Sequence, residues 1–377
     1  MAYALAGAAP PSAHSATRTP ARIVFNGRFL SQVATGVQRY ACETLRAFDA
    51  LLDEDAGLRQ RLACELAVPT PASAPALRRV VVRRLAGPRG HLWEQLTLAR
   101  YARSAYLVNF GYSGPLLKRR QLITLHDASV QAVAHAYSWQ YRLLHDAFVR
   151  VLGRRVDTVM TVSNFSRDEL AARYHVRPGI VGLEGWEHSR AQGDSAATLA
   201  KWKLQPQSYI LAVGSHKPHK NFELLDRAMA QLGDYPLTIA VAGAPDIGIF
   251  RHSAGAQRFA RMLGFVSDEE LAHLYRNAAW FVFPSTYEGF GLPAIEAMAN
   301  GCPVLAARAG SIPEVCADAA LYFDPHDPGS LVALLRRVMC EPRLRQRLVD
   351  RAAARLALYS WSGNARILAG HLVATTA

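Results

Sequence analysis

The stretch "PSTYEGFGLPAIEAMANGCPVLA", residues 284–306, decides how the chain is read. Glu288 and Glu296 bracket seven residues, among them Gly289, Gly291 and Pro293, and a helix-like run begins at about Ala294. The preceding "WFVFPS" reads as a strand, so the glutamates sit where a strand's carboxyl end turns into a helix. Glycines let backbone N–H groups come close to a ligand. A helix N-terminus favours an anion through its unpaired N–H groups and its dipole. On this reading Glu288 lies in the turn and Glu296 in the first helical turn, where carboxylates can accept from sugar hydroxyls. The same residues also suit an ordinary turn and a charge-stabilised helix start, so the choice rests on the rest of the chain.

Working outward, 377 residues suffice for two domains. Half the residues are hydrophobic and 19% are charged, which indicates a soluble globular protein. No uninterrupted apolar run approaches the ~18 residues that a membrane span needs. Residues 1–20, "MAYALAGAAPPSAHSATRTP", lack a basic start and carry two prolines in their apolar part, so a disordered tail is expected there rather than a signal peptide. The five cysteines are scattered with no CxxC spacing, which argues against a disulfide framework or zinc site and fits a reducing cytosol. The net charge of +13 is uneven: residues 1–190 hold 25 Lys and Arg against 14 Asp and Glu, and the remainder is nearly balanced. A basic half suits an anionic partner, whether nucleic acid, anionic membrane or phosphorylated substrate. It also suits an arginine-rich proteome.

Strand and helix signals alternate from about residue 21. "RIVFN", "RVVVRRL", "YLVNF", "QLITLHD" and "VDTVMTVS" read as strands, separated by helical patterns such as "GVQRYACETLRAFDALL". Ser166 with Glu169, and Ser267 with Glu270, have capping-box spacing. A second series starts near residue 208 with "YILAVGS" and continues through "LTIAVAG", "WFVFPS", "CPVLAAR" and "ALYFD". This alternation predicts an α/β protein of two doubly wound Rossmann-like domains, joined near 189–200 and facing a cleft. The expected divisions are a tail (1–20), a first domain (21–190), a second domain (191–358) and a C-terminal helix (359–377). Ligands in such sheets bind at the carboxyl ends of the strands.

Three more strand ends carry chemistry. "VGSHKPHKNFELL" places His216, Lys217, His219 and Lys220 on a strand-turn-helix, where positive charge can neutralise a diphosphate. "NGRFLSQVATGVQRYACETL" puts Gly36 before a helix and Arg39 one turn in; it has no GxGxxG dinucleotide fingerprint. "LITLHDAS" ends a strand in His126 and Asp127. "DED" at 53–55 falls at the end of a predicted helix, away from the phosphate turns, and reads as solvated charge rather than a metal site.

Taken together these stretches resemble the retaining family 4 glycosyltransferases of the GT-B fold, over roughly residues 22–365. The most specific element is Glu288 and Glu296 with "EGFGLPAIEAMANGCPVLA". "VGSHKPHKN", "GFVSDEELAHLYRNA", "GSIPEV", "TVSNFSRDEL" and "GVQRY" support it in the same order. The resemblance implies that Glu288 holds donor-sugar hydroxyls, that Gly289, Phe290, Gly291 and Leu292 present backbone to sugar and diphosphate, and that Glu296 binds the ribose. It implies Lys220 on the diphosphate, Phe265 and Val266 at the base, His126 near the sugar and Gly36 near the phosphate. Ser215 stands where many relatives have an arginine, with His216 and Lys217 as candidates for the missing charge.

"NGRFL…TGVQRY", "HDAS" and "GWEH" (185–188) are similar to bacterial polysaccharide and O-antigen mannosyltransferases. This implies a donor of GDP-mannose, with rhamnosyl transfer from GDP- or dTDP-rhamnose, or a UDP-sugar, as the alternative. The implied acceptor is a polyprenyl-diphosphate-linked glycan at the cytoplasmic face of the membrane, with peripheral contact to anionic lipid. No cofactor and no metal are expected. The competing readings are a nucleic-acid-binding protein, for which no DNA or RNA motif is found, and a non-catalytic glycan-binding relative.

Overall fold

The computed structural model describes residues 19–33, 35–215, 217–233, 236–243 and 260–376. His216 and nearly all of the expected N-terminal tail lie outside them. The first seven strands are β1 (Ala21–Asn26), β2 (Leu62–Pro69), β3 (Val81–Leu85), β4 (Tyr106–Asn109), β5 (Gln121–Thr124), β6 (Thr158–Thr161) and β7 (Ile180–Val181). They form one parallel sheet in the order β3-β2-β1-β4-β5-β6-β7. The next six are β8 (Tyr209–Val213), β9 (Thr238–Ala242), β10 (Ala260–Gly264), β11 (Trp280–Phe283), β12 (Val304–Ala307) and β13 (Ala320–Phe323). Their parallel sheet runs β10-β9-β8-β11-β12-β13.

Central strands are covered by helices on both faces, so they read as apolar runs without alternation. "WFVF" in β11 and "VLAA" in β12 are buried at every residue. Edges read differently: β3 exposes Arg83 and Arg84, charges that discourage pairing with another chain. β2 has no counterpart among the sequence-predicted strands, because "LACELAVP" carries a charge in mid-run; Arg22 of the neighbouring β1 pairs with that Glu65 at 2.8 Å. The 163–169 cap also differs from expectation. Ser163 is the N-cap, its Oγ accepting from Ser166 N, while Glu169 pairs with Arg173 four residues on. Ser267 and Glu270 do form a reciprocal capping box. Asp53 pairs with Arg78 and Arg79.

The chain crosses back at its end. Helix Trp361–Thr376 packs on helix Gly36–Glu54 of the first domain, with Asn364 Nδ2 donating to Thr44 Oγ1 at 2.9 Å and His371 3.0 Å from Thr158 Oγ1. The domains also meet near the carboxyl ends of their strands. Glu314 accepts from the backbone N–H groups of Asn164 (2.9 Å) and Phe165 (2.8 Å), so a carboxylate from one domain caps a helix of the other. Arg39 and Asp268 form an ion pair between the domains.

Candidate active site

The turn at 288–292 is held by its carbonyls. Gly289 O accepts from Ser163 Oγ (2.6 Å) and Ser166 Oγ (2.8 Å) of the first domain. Ser311 Oγ donates to Phe290 O (2.7 Å), and Ser311 N donates to Glu288 O (3.2 Å). Among the described residues no hydrogen bond uses the N–H groups of Phe290, Gly291 or Leu292. A turn whose acceptors are occupied and whose donors are unpaired is suited to an anion. Two glycines permit it. Gly291 has φ +101° at the N-cap of helix Leu292–Ala299. A Cβ on Gly289 would lie 2.8 Å from Asp127 Cβ and 2.9 Å from His126 O, so this residue lets the second domain's turn rest on the end of β5.

Glu288 receives Lys220 Nζ at 2.6 Å, which joins the two motifs that the sequence separates by 68 residues. Lys220 is the last residue of a 3-10 turn, Pro218–Lys220, at the carboxyl end of β8. Its neighbour His219 is held down to about 2 by burial first and by the Lys220 and Lys217 charges next, so that ring stays neutral.

Glu296 sits in the second turn of its helix, not the first as expected, because the helix starts at Leu292 rather than near Ala294. Its role therefore cannot be dipole compensation. Trp361 Nε1 donates to His188 Nδ1 at 3.0 Å, which leaves Nε2 as the protonated nitrogen, donating to Glu296 Oε1 at 2.9 Å. Tyr275 OH donates to Oε2 at 3.3 Å. Each carboxylate oxygen keeps a further lone pair for a ligand hydroxyl.

A cavity of about 610 Å³ opens between the domains. From the second domain it is lined by Lys217, His219, Lys220, Tyr287 and Glu288, and from the first by Gly36 with a wall that includes Arg28, Glu94, Tyr112, Asp127, Tyr137 and Tyr141. Glu94 projects from a π-helical turn, Glu94–Leu98. Burial pushes its carboxyl up most, but hydrogen bonds from His91 and Asn26 and the Arg28 charge outweigh that and hold it below its usual range. Arg28 Nε lies 3.0 Å from Glu94 Oε2, and Arg28 Nη2 donates to Ser113 Oγ at 2.7 Å. Tyr137 and Tyr141 stack with ring centroids 5.6 Å apart.

Of the sequence-predicted residues, Gly36, Asp127, Lys217, His219, Lys220 and Glu288 line this cavity, while Ser215, Gly289, Phe290, Gly291, Leu292 and Glu296 are not in its lining. His126 is not in the lining. Its ring is buried against Tyr40 and Tyr112, and Nε2 donates to Phe110 O at 2.9 Å. Burial foremost lowers its pKa, so it is neutral. Asp127 reaches the cavity in its place, fixed by Tyr112 OH and Ser129 N, both 2.9 Å from Oδ1. Phe265 is 72% exposed just after β10, and Val266 packs against the core. The aromatic wall, Arg28 with Glu94, and His188 with Tyr275 escape the sequence reading. Only the strand-end position of "NGRFL" and "HDAS", and the adjacency of "GWEH" to the domain junction, signal any of them.

The sequence profile of "Glycosyl transferases group 1" matches residues 197–355. O-antigen chain mannosyltransferase B of Escherichia coli is 30% identical over 260 residues, 64% of this chain and 67% of that protein. O-antigen chain mannosyltransferase RfbU of Salmonella typhimurium is 25% identical over 329 residues, 84% of this chain and 90% of that protein. With serotype-specific mannosyltransferase WbdA of Escherichia coli the identity is 32% over 172 residues, which span 43% of this chain and only 21% of that protein. Among solved structures, sucrose-phosphate synthase from Thermosynechococcus elongatus superposes with a TM-score of 0.71 at 21% identity, over 94% of this chain and 98% of that one. That likeness shows the fold, two Rossmann-like domains in the GT-B arrangement.

Proposed function

Because the chain belongs to the group 1 glycosyl transferases, we propose that it transfers mannose from GDP-mannose to a growing bacterial surface glycan, with retention of configuration. One observation carries this reading: Lys220 and Glu288 meet at 2.6 Å on the rim of an interdomain cavity, beside a turn whose N–H groups are unpaired. Cation, carboxylate and oriented donors are what a nucleoside diphosphate sugar requires. In this reading Lys220, Lys217 and the N–H groups of 290–292 receive the diphosphate, and no metal is needed for its charge. Glu288 holds sugar hydroxyls, Glu296 the ribose, and Phe265 and Val266 flank the base. His126 becomes a positioning residue that sets where Asp127 reaches the cavity.

The bond between the sugar's anomeric carbon and the diphosphate oxygen breaks, and its electron pair leaves with the nucleoside diphosphate. Positive groups aimed at that oxygen lower the barrier because they act where charge develops. An acceptor hydroxyl, presented by the wall of Tyr112, Tyr137 and Tyr141, bonds to the same face of the sugar. Its proton passes to the departing phosphate. We assign residues 21–190 to the acceptor and 191–358 to the donor. The acceptor in this proposal is a glycan on a lipid diphosphate.

Calorimetric titration with GDP, UDP, dTDP and ADP, then with the matching nucleotide sugars, tests this. GDP and GDP-mannose should bind best. A preference for UDP or dTDP would replace mannose by the alternative donors. Binding of none of them, by a folded protein, would remove the transferase reading.

A further inference from the structure

Residues 86–156 carry ten Lys and Arg but only three Asp and Glu, and none of the three acids is exposed. Glu94 is buried on Asn26 and Ser113, Asp127 is held by Tyr112 and Ser129, and Asp146 receives Tyr174 and Gln131. Arg89, Arg100, Arg103, Arg119, Arg142, Arg154 and Arg155 are all exposed. The charge these residues show to solvent is therefore positive, and the next exposed acids along the chain are Asp157 and Asp168.

Large apolar side chains stand among these arginines. Helix Trp139–Arg155 exposes Trp139 and Leu143, each at 67%, together with Leu144 and Val151. Spacing of four residues from 139 to 143, 147 and 151 keeps Trp139, Leu143, Ala147 and Val151 on one face. The neighbouring helical segment exposes Leu92 and Leu96, each at 62%. The two segments adjoin, since His91 packs on Phe148 with ring centroids 4.8 Å apart. Single exposed apolar residues need no explanation, but a contiguous group does. His91 and Leu144 also line the interdomain cavity, so this face borders its mouth.

We propose that this face of the first domain, with Trp139, Leu143, Leu92 and Leu96 at its centre and arginines around them, docks on an anionic lipid surface. Trp and Leu bury their side chains at the boundary of headgroups and acyl chains, while arginines pair with anionic headgroups. The excess of positive charge around the apolar centre favours lipid over a second copy of this chain, whose own face would repel it. Docking sets the cavity mouth against the membrane, where a lipid-anchored acceptor is held. The consequence for the acceptor rests on the transferase reading; the docking itself does not.

The test is flotation of the full chain with vesicles of phosphatidylcholine alone and of phosphatidylcholine mixed with phosphatidylglycerol. Binding should appear on the mixed vesicles and fall steeply with salt. Trp139→Ala with Leu143→Ser, and separately Arg154→Glu with Arg155→Glu, should each weaken it by at least about tenfold. Both variants should keep the parent's calorimetric affinity for GDP, which shows that they are folded. Absence of binding to anionic vesicles, or binding unchanged in both variants, overturns the proposal. So does a dimer seen by light scattering that the Trp139 and Leu143 changes abolish, since that would give the face to a second copy. Vesicle binding through this face by a protein that takes no nucleotide sugar would leave docking standing and sink the transferase reading.

Discussion

The two walls of the cavity are built in different ways. The second domain's wall comes from short, continuous stretches at the carboxyl ends of β8 and β11, which pair their own charges, Lys220 on Glu288. The first domain's wall is assembled from side chains far apart in the chain, Arg28 with Glu94 and Tyr112 with Asp127, and the stacked Tyr137 and Tyr141. A diphosphate is recognised mostly by backbone donors and one cation, which local geometry can supply. A sugar is recognised by platforms and hydroxyl partners that must converge from several elements. Damage to the second wall should therefore abolish chemistry, and damage to the first should alter acceptor use.

The sharpest way to break that division is Lys220→Ala. It removes the cation that we propose faces the leaving group, and it leaves Glu288 without its partner. Transfer should fall by about 10³-fold or more, with weaker GDP affinity by calorimetry. Equal effects on acceptor KM alone would contradict the contrast. Next in size is Gly289→Ala, whose Cβ would meet Asp127 Cβ and His126 O across the domains. Turnover should drop by roughly 10²-fold, because a shift of this turn misplaces the reacting groups. Retained turnover in steady-state assays would show that the turn can give way at no loss.

Tyr137→Ala and Tyr141→Ala address the opposite wall. Each should raise acceptor KM by about tenfold through loss of the aromatic platform, with GDP affinity unchanged. A change in nucleotide affinity instead would merge the two walls into one unit. The smallest effect concerns Glu184, a buried carboxyl at the junction. Burial foremost, then the charges of Glu296, Glu288 and Asp127, pushes it up to about 8. A carboxyl with a raised folded pKa binds its proton better in the folded state. Its contribution to stability is present below the ordinary carboxylate range, about 4, and is lost as pH rises toward 8. Glu184→Gln is neutral throughout, so its melting temperature should exceed the parent's by a few degrees at pH about 9 and match it at pH about 4. Parallel melting curves at both pH values would place the Glu184 titration elsewhere.

What could be seen in the sequence follows the same contrast. Two parallel sheets were legible because strands covered on both faces are apolar runs set between helical periods. β2 was not, because Glu65 interrupts its run and its partner Arg22 lies 43 residues away. The 288–296 turn was legible because glycine, proline and glutamate act through local backbone geometry. The tie from Trp361 through His188 to Glu296 was not, since it joins three segments with no common period. His126 stood out as a histidine at a strand end. The structure turns its ring inward to Phe110 and sends Asp127 into the cavity, a choice made by packing around Tyr40 that no spacing announces.

The crossing of the last helix limits how this protein can be recombined. Trp361 begins a helix that rests on the first domain, yet its indole orients the histidine that holds Glu296 of the second. A chimera that exchanges residues 1–190 with those of a relative, and keeps the native tail, would seat that helix on a foreign surface. Donor use would then suffer although residues 191–358 are native, and His188, which links Trp361 to Glu296, is itself in the exchanged segment. Hybrids cut at the junction should work only when residues 359–377 travel with the first domain and the incoming tail also brings a tryptophan to the position of Trp361.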